Sequence, residues 1–343
     1  MSQGCDVSVV ISTYNRCDTL RGALESVLAQ ETGPVTYEII VVDNNSTDGT
    51  REVVDSIIAR GHRHVRYLFE GRQGLSHARN AGIAEARAPL IAFTDDDVRV
   101  ASDWVANIKR AFDGHPEVDY VGGRVLPRWP TTPPTWLTRD HWSAMALSDF
   151  GDAPMYVNHE AQYCLIGANL AFRRESFDRF GLFQPDFQRV RDGIGSTEDH
   201  ELQLRLWEAQ RQGLYVPDLV VLAEVEPRRL SKQYHRRWHT GHGHFYAAMR
   251  VQEVEAATIR LFGVPGHLYR HGMAEAVTWL TYWVRGDRDA AFLCETRLRF
   301  LVGFVRKRRA DFLATSGHGT AREIVLFVRS MAGKVGTRAK GRG

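Results

Sequence analysis

Three consecutive aspartates, Asp95, Asp96 and Asp97, close the apolar stretch PLIAFTDDDV. Three carboxylates at one strand end repel one another, so the arrangement costs stability unless something positive joins them. A divalent cation sharing the site with a bound phosphate makes it favourable, because hard cations take oxygen ligands. The carboxyl ends of strands in open α/β sheets are also where ligands bind. The triplet therefore points to a metal-assisted nucleotide site. The plain alternative is a solvated acidic turn, with Asp103 capping the helix beyond it. A second acidic pair, Glu198 and Asp199, opens the stretch EDHELQLRLWEAQRQ. Its plain alternative is helix capping, since a helix N-terminus favours negative charge.

The elements that must position these acids are legible as alternating patterns. Residues 7–13 (VSVVIST) form a continuous apolar, β-rich run, the mark of a buried parallel strand. Helical spacing of Leu20, Ala23, Leu24, Val27 and Leu28 follows over 18–30. A second strand is expected at 37–42, closed by Asp43. In the turn after it, Thr47 or Asp48 can cap the next helix. Residues 65–69, 90–94 and 119–125 read as further strands. A helix over 75–87 stops before Pro89. Repeated βα units imply a mostly parallel sheet with helices on both faces. The segment 127–138 (PRWPTTPPTWLT) breaks the pattern and marks a boundary. β-like sequence returns at 163–173 and 214–222. Between these, 199–212 is an amphipathic helix carrying Leu202, Leu206 and Ala209 on one face. Beyond about residue 230 the chain reads as helical and rich in aromatics and arginine.

Composition sets outer bounds. The chain has 343 residues, 43% of them hydrophobic and 25% charged, which is globular composition for one large domain or two smaller ones. Cys5, Cys17, Cys164 and Cys294 are scattered, with no CxxC pair, so neither a zinc site nor a disulfide framework is expected, and a reducing compartment is. No leader-like segment or run of about 20 apolar residues is read. The net charge of +3 is unevenly placed: residues 329–343 are basic without acid, and Arg306, Lys307, Arg308 and Arg309 form a second cluster. By charge alone either can rest on anionic lipid headgroups or nucleic acid, or be merely solvated. No nucleic-acid partner is expected. Tyr269, Trp279, Tyr282 and Trp283, with Leu280 among them, make an aromatic-rich stretch that beside these bases suits either an interfacial surface or a packed helical cap.

Four segments in order, SVVISTYNR, EIIVVDNNSTDGT, GLSHARNAG with IAFTDDDV, and GSTEDHELQLRL, resemble the family 2 glycosyltransferases of the GT-A fold. The resemblance spans about residues 7–245. It implies a Rossmann-like catalytic domain over 1–245, with a nucleotide half over 1–125 and an acceptor half over 126–245. Residues 246–343 remain as a helical, basic extension. It further implies that Thr13, Tyr14 and Asn15 lie against base and ribose, with Asp43 accepting a hydrogen bond from either. For Tyr14 and Asp43 the plain readings are a turn aromatic and a turn or cap residue. Arg79 is implied as a partner of the diphosphate or of the triplet, since guanidinium matches such oxygens bidentately; the alternative is an ordinary exposed helix arginine.

By the same resemblance Asp95 and Asp97 form the DxD spacing that holds Mg2+ or Mn2+ on the diphosphate. Asp97 is the expected direct ligand, Asp95 contacts ribose or a metal-bound water, and Asp96 shares either role. Gly167 and Asn169 fall beneath the donor sugar, where small residues let backbone approach closely. A close-packed structural strand is an equal reading. Asp199 takes the place of the base and Glu198 supports it. The segment QYHRRWHTGHGH resembles the Q/RxxRW element of processive members, but its spacing departs by one residue. That puts polymer synthesis in doubt, while Arg237 and Trp238 remain candidates for acceptor contacts. By the resemblance His239, His242 or His244 could supply a metal ligand, but they read first as residues of a surface loop and none is assigned. The implied activity is inverting, non-processive transfer of a sugar from a nucleoside diphosphate to a hydroxyl of a glycan or lipid-linked acceptor, in cell-surface polysaccharide or glycolipid synthesis. The implied location is cytoplasmic, peripheral on the inner face of the membrane. The rivals are a polyprenyl-phosphate sugar synthase, which needs little base assistance, a nucleotidyltransferase, and a non-catalytic nucleotide-sugar binding module.

Overall fold

The computed structural model describes residues 4–188, 194, 196–256 and 259–315. The basic run 329–343 lies outside them. Two compact units are defined: the first comprises 1–133, 142–193 and 197–229, the second 134–141, 194–196 and 230–343.

The first unit is built on one sheet. Its strands are β1 (Val7–Thr13), β2 (Tyr37–Asp43), β3 (Val65–Phe69), β4 (Leu90–Asp95), β5 (Val98–Val100), β6 (Tyr120–Arg128), β7 (Met155–Val157), β8 (Leu170–Arg173) and β9 (Gly213–Glu224). Its helices are α1 (Cys17–Leu28), α2 (Thr50–Ala59), α3 (Leu75–Glu85), α4 (Trp104–Gly114), α5 (Arg174–Phe180) and α6 (Glu198–Glu208). Strand order is β3-β2-β1-β4-β8-β6-β9-β5, with β7 also on β9. The block β3-β2-β1-β4 is wholly parallel. Beyond β4 the sheet turns mixed: β8 runs antiparallel to both β4 and β6, while β6 and β9 are parallel.

β1 is buried on both faces, with Val7, Val9, Val10 and Ile11 inaccessible to water. This is why its sequence is an unbroken apolar run rather than an alternating one. α3 lies close upon it: a Cβ on Gly82 would run into Val10 and approach Val42. Register then aligns the strand ends. Thr13 pairs with Asp43 and Ser12 with Asp95, so turns from three strands open at one level. The chain leaves β1 toward β2 and β3 and returns to β4 on the other side. The crevice between β1 and β4 is thus the topological switch point where α/β sheets bind ligands.

Two expectations change here. The β-like reading of 163–173 shrinks to Leu170–Arg173, because Gly167–Asn169 winds into a 3-10 turn just before the strand. The break expected from residue 127 comes later, since β6 pairs through Arg128 with Glu224.

The second unit is helical: α7 (Lys232–Met249), α8 (Gln252–Glu255), the short pair β10 (Arg260–Leu261) and β11 (Val264–Pro265), α9 (Gly266–Val284) and α10 (Arg288–Thr315). α7 and α10 touch backbone to backbone. A Cβ on Gly243 would strike the Phe300 carbonyl, and one on Gly303 the Thr240 carbonyl. Replacing Gly303 by leucine should therefore unfold this unit by several kcal/mol, since overpacking against backbone leaves nothing to yield. Urea unfolding with exchange of unit-specific amides checks this; native-like protection of α10 would disprove it.

The histidines read as a surface loop instead belong to α7, whose Ser231 cap accepts the Tyr234 N–H at 3.2 Å. His235 is fully buried, packed edge-on to Trp136 at 5.0 Å and to His141 at 5.7 Å. Burial first, then the neighbouring imidazoles His235, His242 and His141, depress His239 to about 3. His141 is lowered too, chiefly by burial, with Asp140 opposing and Lys232 and Arg297 adding. Unfolded histidine titrates near 6.5. Stability should thus be level above about pH 6.5 and fall as pH drops toward 3, because the unfolded chain binds protons that the folded one refuses. Melting temperature against pH measures this, and His239→Gln should flatten the slope.

Candidate active site

The triplet at the end of β4 is not a solvated turn. Asp96 and Asp97 are buried and Asp95 is half-buried. Arg16, one residue beyond the TYN turn of β1, reaches all but the first: its Nη1 donates to Asp96 at 3.1 Å and to Asp97 at 2.7 Å, and its Nη2 to Glu226 at 2.9 Å. Burial works against the Arg16 charge, but the three carboxylates outweigh it and raise the guanidinium's pKa. Asp96 is pushed up to about 6 by burial, with Arg16 pulling it down and Asp97 adding to the rise. Arg229 stands 3.8 Å from Asp97 and 3.3 Å from Glu226. Arg16, Glu226 and Arg229 were not among the residues expected here. The signal for Arg16 was its place beside Asn15; Glu226 and Arg229, beyond β9, carry none in the linear sequence.

A second arginine joins the two acidic groups. Arg79, on α3, is only 3% exposed, so the surface-arginine reading falls. It donates to Glu198 Oε1 at 3.1 Å and stands 3.6 Å from Asp95. Its guanidinium rests on the Phe183 ring, 5.3 Å from the centroid, above the aromatic cluster of Phe93, Phe172 and Phe177. Gly167 is required beneath it, because a Cβ there would approach Nη2 to 2.5 Å. The Gly167 N–H donates to Asp199 Oδ2 at 2.9 Å, and the His200 N–H to Oδ1 at 2.9 Å. Asp199, half-buried in the first turn of α6, is thus fixed through both oxygens and keeps a lone pair on each. Asp95, Arg79, Glu198, Gly167 and Asp199 form one contiguous cluster.

The turns of β1 and β2 are tied to each other. Thr13 is buried at the end of β1, and Tyr14 is half-buried beside it. Asn15, at φ 51°, takes the left-handed conformation that asparagine tolerates. Its N–H donates to Ser46 Oγ at 3.0 Å and its Oδ1 accepts from Thr47 N–H at 2.7 Å. Asp43 accepts from the Ser46 N–H at 2.8 Å and from Tyr67 Oη at 2.7 Å; burial first, then this bond, pushes Tyr67 up to about 12. Asp48, not Thr47, receives the first N–H of α2, from Thr50 at 3.1 Å.

Asn169 departs from its expected role as a sugar contact. Its Nδ2 donates to the carbonyls of Arg124 at 2.9 Å and Leu219 at 2.8 Å, and its Oδ1 accepts from Trp104 Nε1 at 2.7 Å. Both donors are spent on holding strands together. Arg237 and Trp238 lie on α7 of the second unit; Arg237 is exposed and Trp238 stacks on His242 at 4.6 Å.

No cluster of three or more His, Cys, Asp or Glu side chains arranged to hold a metal occurs among the described residues. A magnesium-type ion bridging phosphates asks for less: one or two carboxylates, with water and substrate oxygens filling the rest. Asp95 and Asp97, hard donors at one strand end, fit that demand.

A parallel α/β block with acids at its switch point, followed by a mixed sheet and a second acidic pair, defines the GT-A type of glycosyltransferase fold. The family model for glycosyl transferase family 2 matches residues 8–181, and the chain belongs to that family. A glucosyl-dolichyl phosphate glucuronosyltransferase of Haloferax volcanii is 26% identical over 204 residues, 59% of this chain and 63% of that protein. A validoxylamine A glucosyltransferase of Streptomyces hygroscopicus subsp. limoneus is 35% identical over 155 residues, 44% of this chain and 34% of that protein. The chain thus spans from a third to under two thirds of these relatives. Among solved structures, a mannosyltransferase from Pyrobaculum calidifontis in complex with GDP-Man and Mn2+ superposes with a TM-score of 0.54 at 19% identity, covering 94% of this chain and 79% of that one. That likeness carries the fold.

Proposed function

We propose that the enzyme moves a sugar from a nucleoside-diphosphate sugar to a hydroxyl of a glycan or lipid-linked acceptor, with inversion at the anomeric carbon. The observation that carries this reading is the bridge through Arg79, one buried guanidinium between Asp95 on the triplet and Glu198 beside Asp199. It ties the group that meets the donor to the group that meets the acceptor. Thr13, Tyr14, Asn15 and Asp43 wall the base and ribose. Asp95 and Asp97 would hold Mg2+ or Mn2+, which when bound neutralises the departing diphosphate. Asp199 takes the proton of the attacking hydroxyl, and its two N–H bonds aim the carboxylate. Gly167 supports the sugar from below through its backbone. The relative whose name includes a dolichyl phosphate acceptor supports a lipid-linked substrate. Residues 1–245 are taken as the catalytic domain, acting in cell-surface polysaccharide or glycolipid synthesis at the inner face of the membrane.

The test is a donor screen: full-length protein with Mg2+, Mn2+ or chelator, a panel of nucleotide sugars, thermal stabilisation and diphosphate release. One donor should stabilise the protein in a metal-dependent manner, and Asp97→Ala should abolish the effect. No stabilisation by any nucleotide sugar would sink the proposal. Release of pyrophosphate instead of nucleoside diphosphate would replace it with nucleotidyl transfer.

A further inference from the structure

The two arginines on the aspartate triplet are held in different ways. Arg79 is sealed in, its side chain 4% exposed, between Glu198 and the Phe183 ring. Arg16 lies open on one side, its side chain 25% exposed. Its backbone is fixed: it immediately precedes α1, and its carbonyl accepts the N–H of Thr19 at 3.2 Å and of Leu20 at 3.0 Å. Its guanidinium is divided between two strand ends. Nη1 spans Asp96 and Asp97 just beyond β4, and Nη2 reaches Glu226 just beyond β9. Glu226 is gripped as well by Arg228 and Arg229. Nη1 can therefore leave Asp97 while Nη2 stays anchored on Glu226.

Asp97 is also the carboxylate expected to meet the divalent ion, and it cannot serve both cations fully. Its Oδ2 accepts from Arg16 at 2.7 Å, whereas a Mg2+-type ion takes a carboxylate oxygen at about 2.0–2.1 Å. An ion on Oδ2 would crowd Nη1 directly. An ion on Oδ1 would still share one carboxylate with the guanidinium, and two positive charges so close repel strongly away from bulk water. The surrounding charge does not draw in a further cation. Among the described residues, Asp96, Asp97 and Glu226 face Arg16, Arg228 and Arg229, three guanidinium groups for three carboxylates. A nucleoside diphosphate changes that balance, because its phosphate oxygens bring both negative charge and ligands for the ion. We propose that Arg16 is the resident counter-ion of the site: it holds Asp97 against a lone divalent ion and yields when ion and nucleoside diphosphate arrive together. This role rests on the metal reading of Asp97 above and adds an order of binding, in which the ion does not settle before the nucleotide.

Mn2+ titration of the full chain, with free ion read by electron paramagnetic resonance, tests this with the ion alone, with UDP and with GDP. Wild type should bind the lone ion weakly, and at least about tenfold more tightly beside a nucleotide that it accepts. Arg16→Met should tighten binding of the lone ion at least about tenfold, a gain that a merely structural role would not produce. Removing Arg16 also strips Asp96, 5% exposed, of its partner. Arg16→Met with Asp96→Asn therefore serves as the variant that keeps the charge balance; it should melt near wild type and show the same gain. Adding Asp97→Ala should erase the gain in either background. The inference falls if neither Arg16 variant binds lone Mn2+ more tightly than wild type, or if wild type gains no affinity for the ion from a nucleotide that it binds. In either case, Mn2+ that wild type binds beside UDP or GDP and Asp97→Ala does not leaves the metal reading standing. No Mn2+ binding in any arm or variant ends both.

Discussion

Replacement of Asp199 by asparagine is expected to lower turnover by about 10²–10⁴-fold, the range for loss of a positioned base. Donor affinity should stay within a few-fold of wild type, because base, ribose and metal are assigned to Thr13, Tyr14, Asn15, Asp43, Asp95 and Asp97 and not to Asp199. The substitution is not silent structurally. Each oxygen of Asp199 accepts one N–H, from Gly167 and from His200. An amide offers one acceptor, so one of these N–H groups must face an NH2. About 1 kcal/mol of stability should go with that bond. Calorimetric donor titration beside a diphosphate-release assay separates the effects. Turnover within tenfold of wild type would place the base elsewhere.

Arg79→Met should fail differently, losing both activity and fold stability. Glu198 is 2% exposed, and removing its guanidinium partner leaves a buried charge that costs about 3–5 kcal/mol. Asp95, half-open to water, suffers less. Combining Arg79→Met with Glu198→Leu removes both buried charges and should restore most of the stability, since buried ion pairs are often no better than apolar replacements. Activity should remain absent, because the strut between Asp95 and Asp199's neighbour is gone. Urea midpoints for both single variants and the double, read with activity, complete the cycle. A double variant as unstable as the worse single would mean that the surrounding shell, not the charge, sets the cost.

The strands of the donor half were legible because their signal is local. β1 and β3 begin and end where their apolar runs do, at Val7–Thr13 and Val65–Phe69. The acids were legible as residue types at strand and helix ends. Their partners were not. Nothing near Arg79 announces that it is buried, because the residues that enclose it, Phe183 and Glu198, lie more than a hundred positions away. Asn169 was read as a sugar contact from the family resemblance of its segment, beside the small residues Gly167 and Ala168, yet its amide joins three separate backbone or side-chain partners across the sheet. Arg16 was read past, since its three carboxylates come together only in the folded sheet. The histidines read as a loop, His239, His242 and His244, misled in the opposite sense: all three lie on α7, where His239 and His242 pack on Trp238 and only His244 is exposed.

The order of strands also bears on how the chain is made. Residues 7–95 supply four neighbouring strands, so this half can pair while still emerging from the ribosome. β4 then presents a bare edge until residues 170–173 arrive to cover it. An uncovered edge of LIAFTD is a template for other nascent chains. Slow translation through the middle of the message, or a stop codon there, should send product into inclusion bodies, whereas a chain released after β8 has passed that hazard.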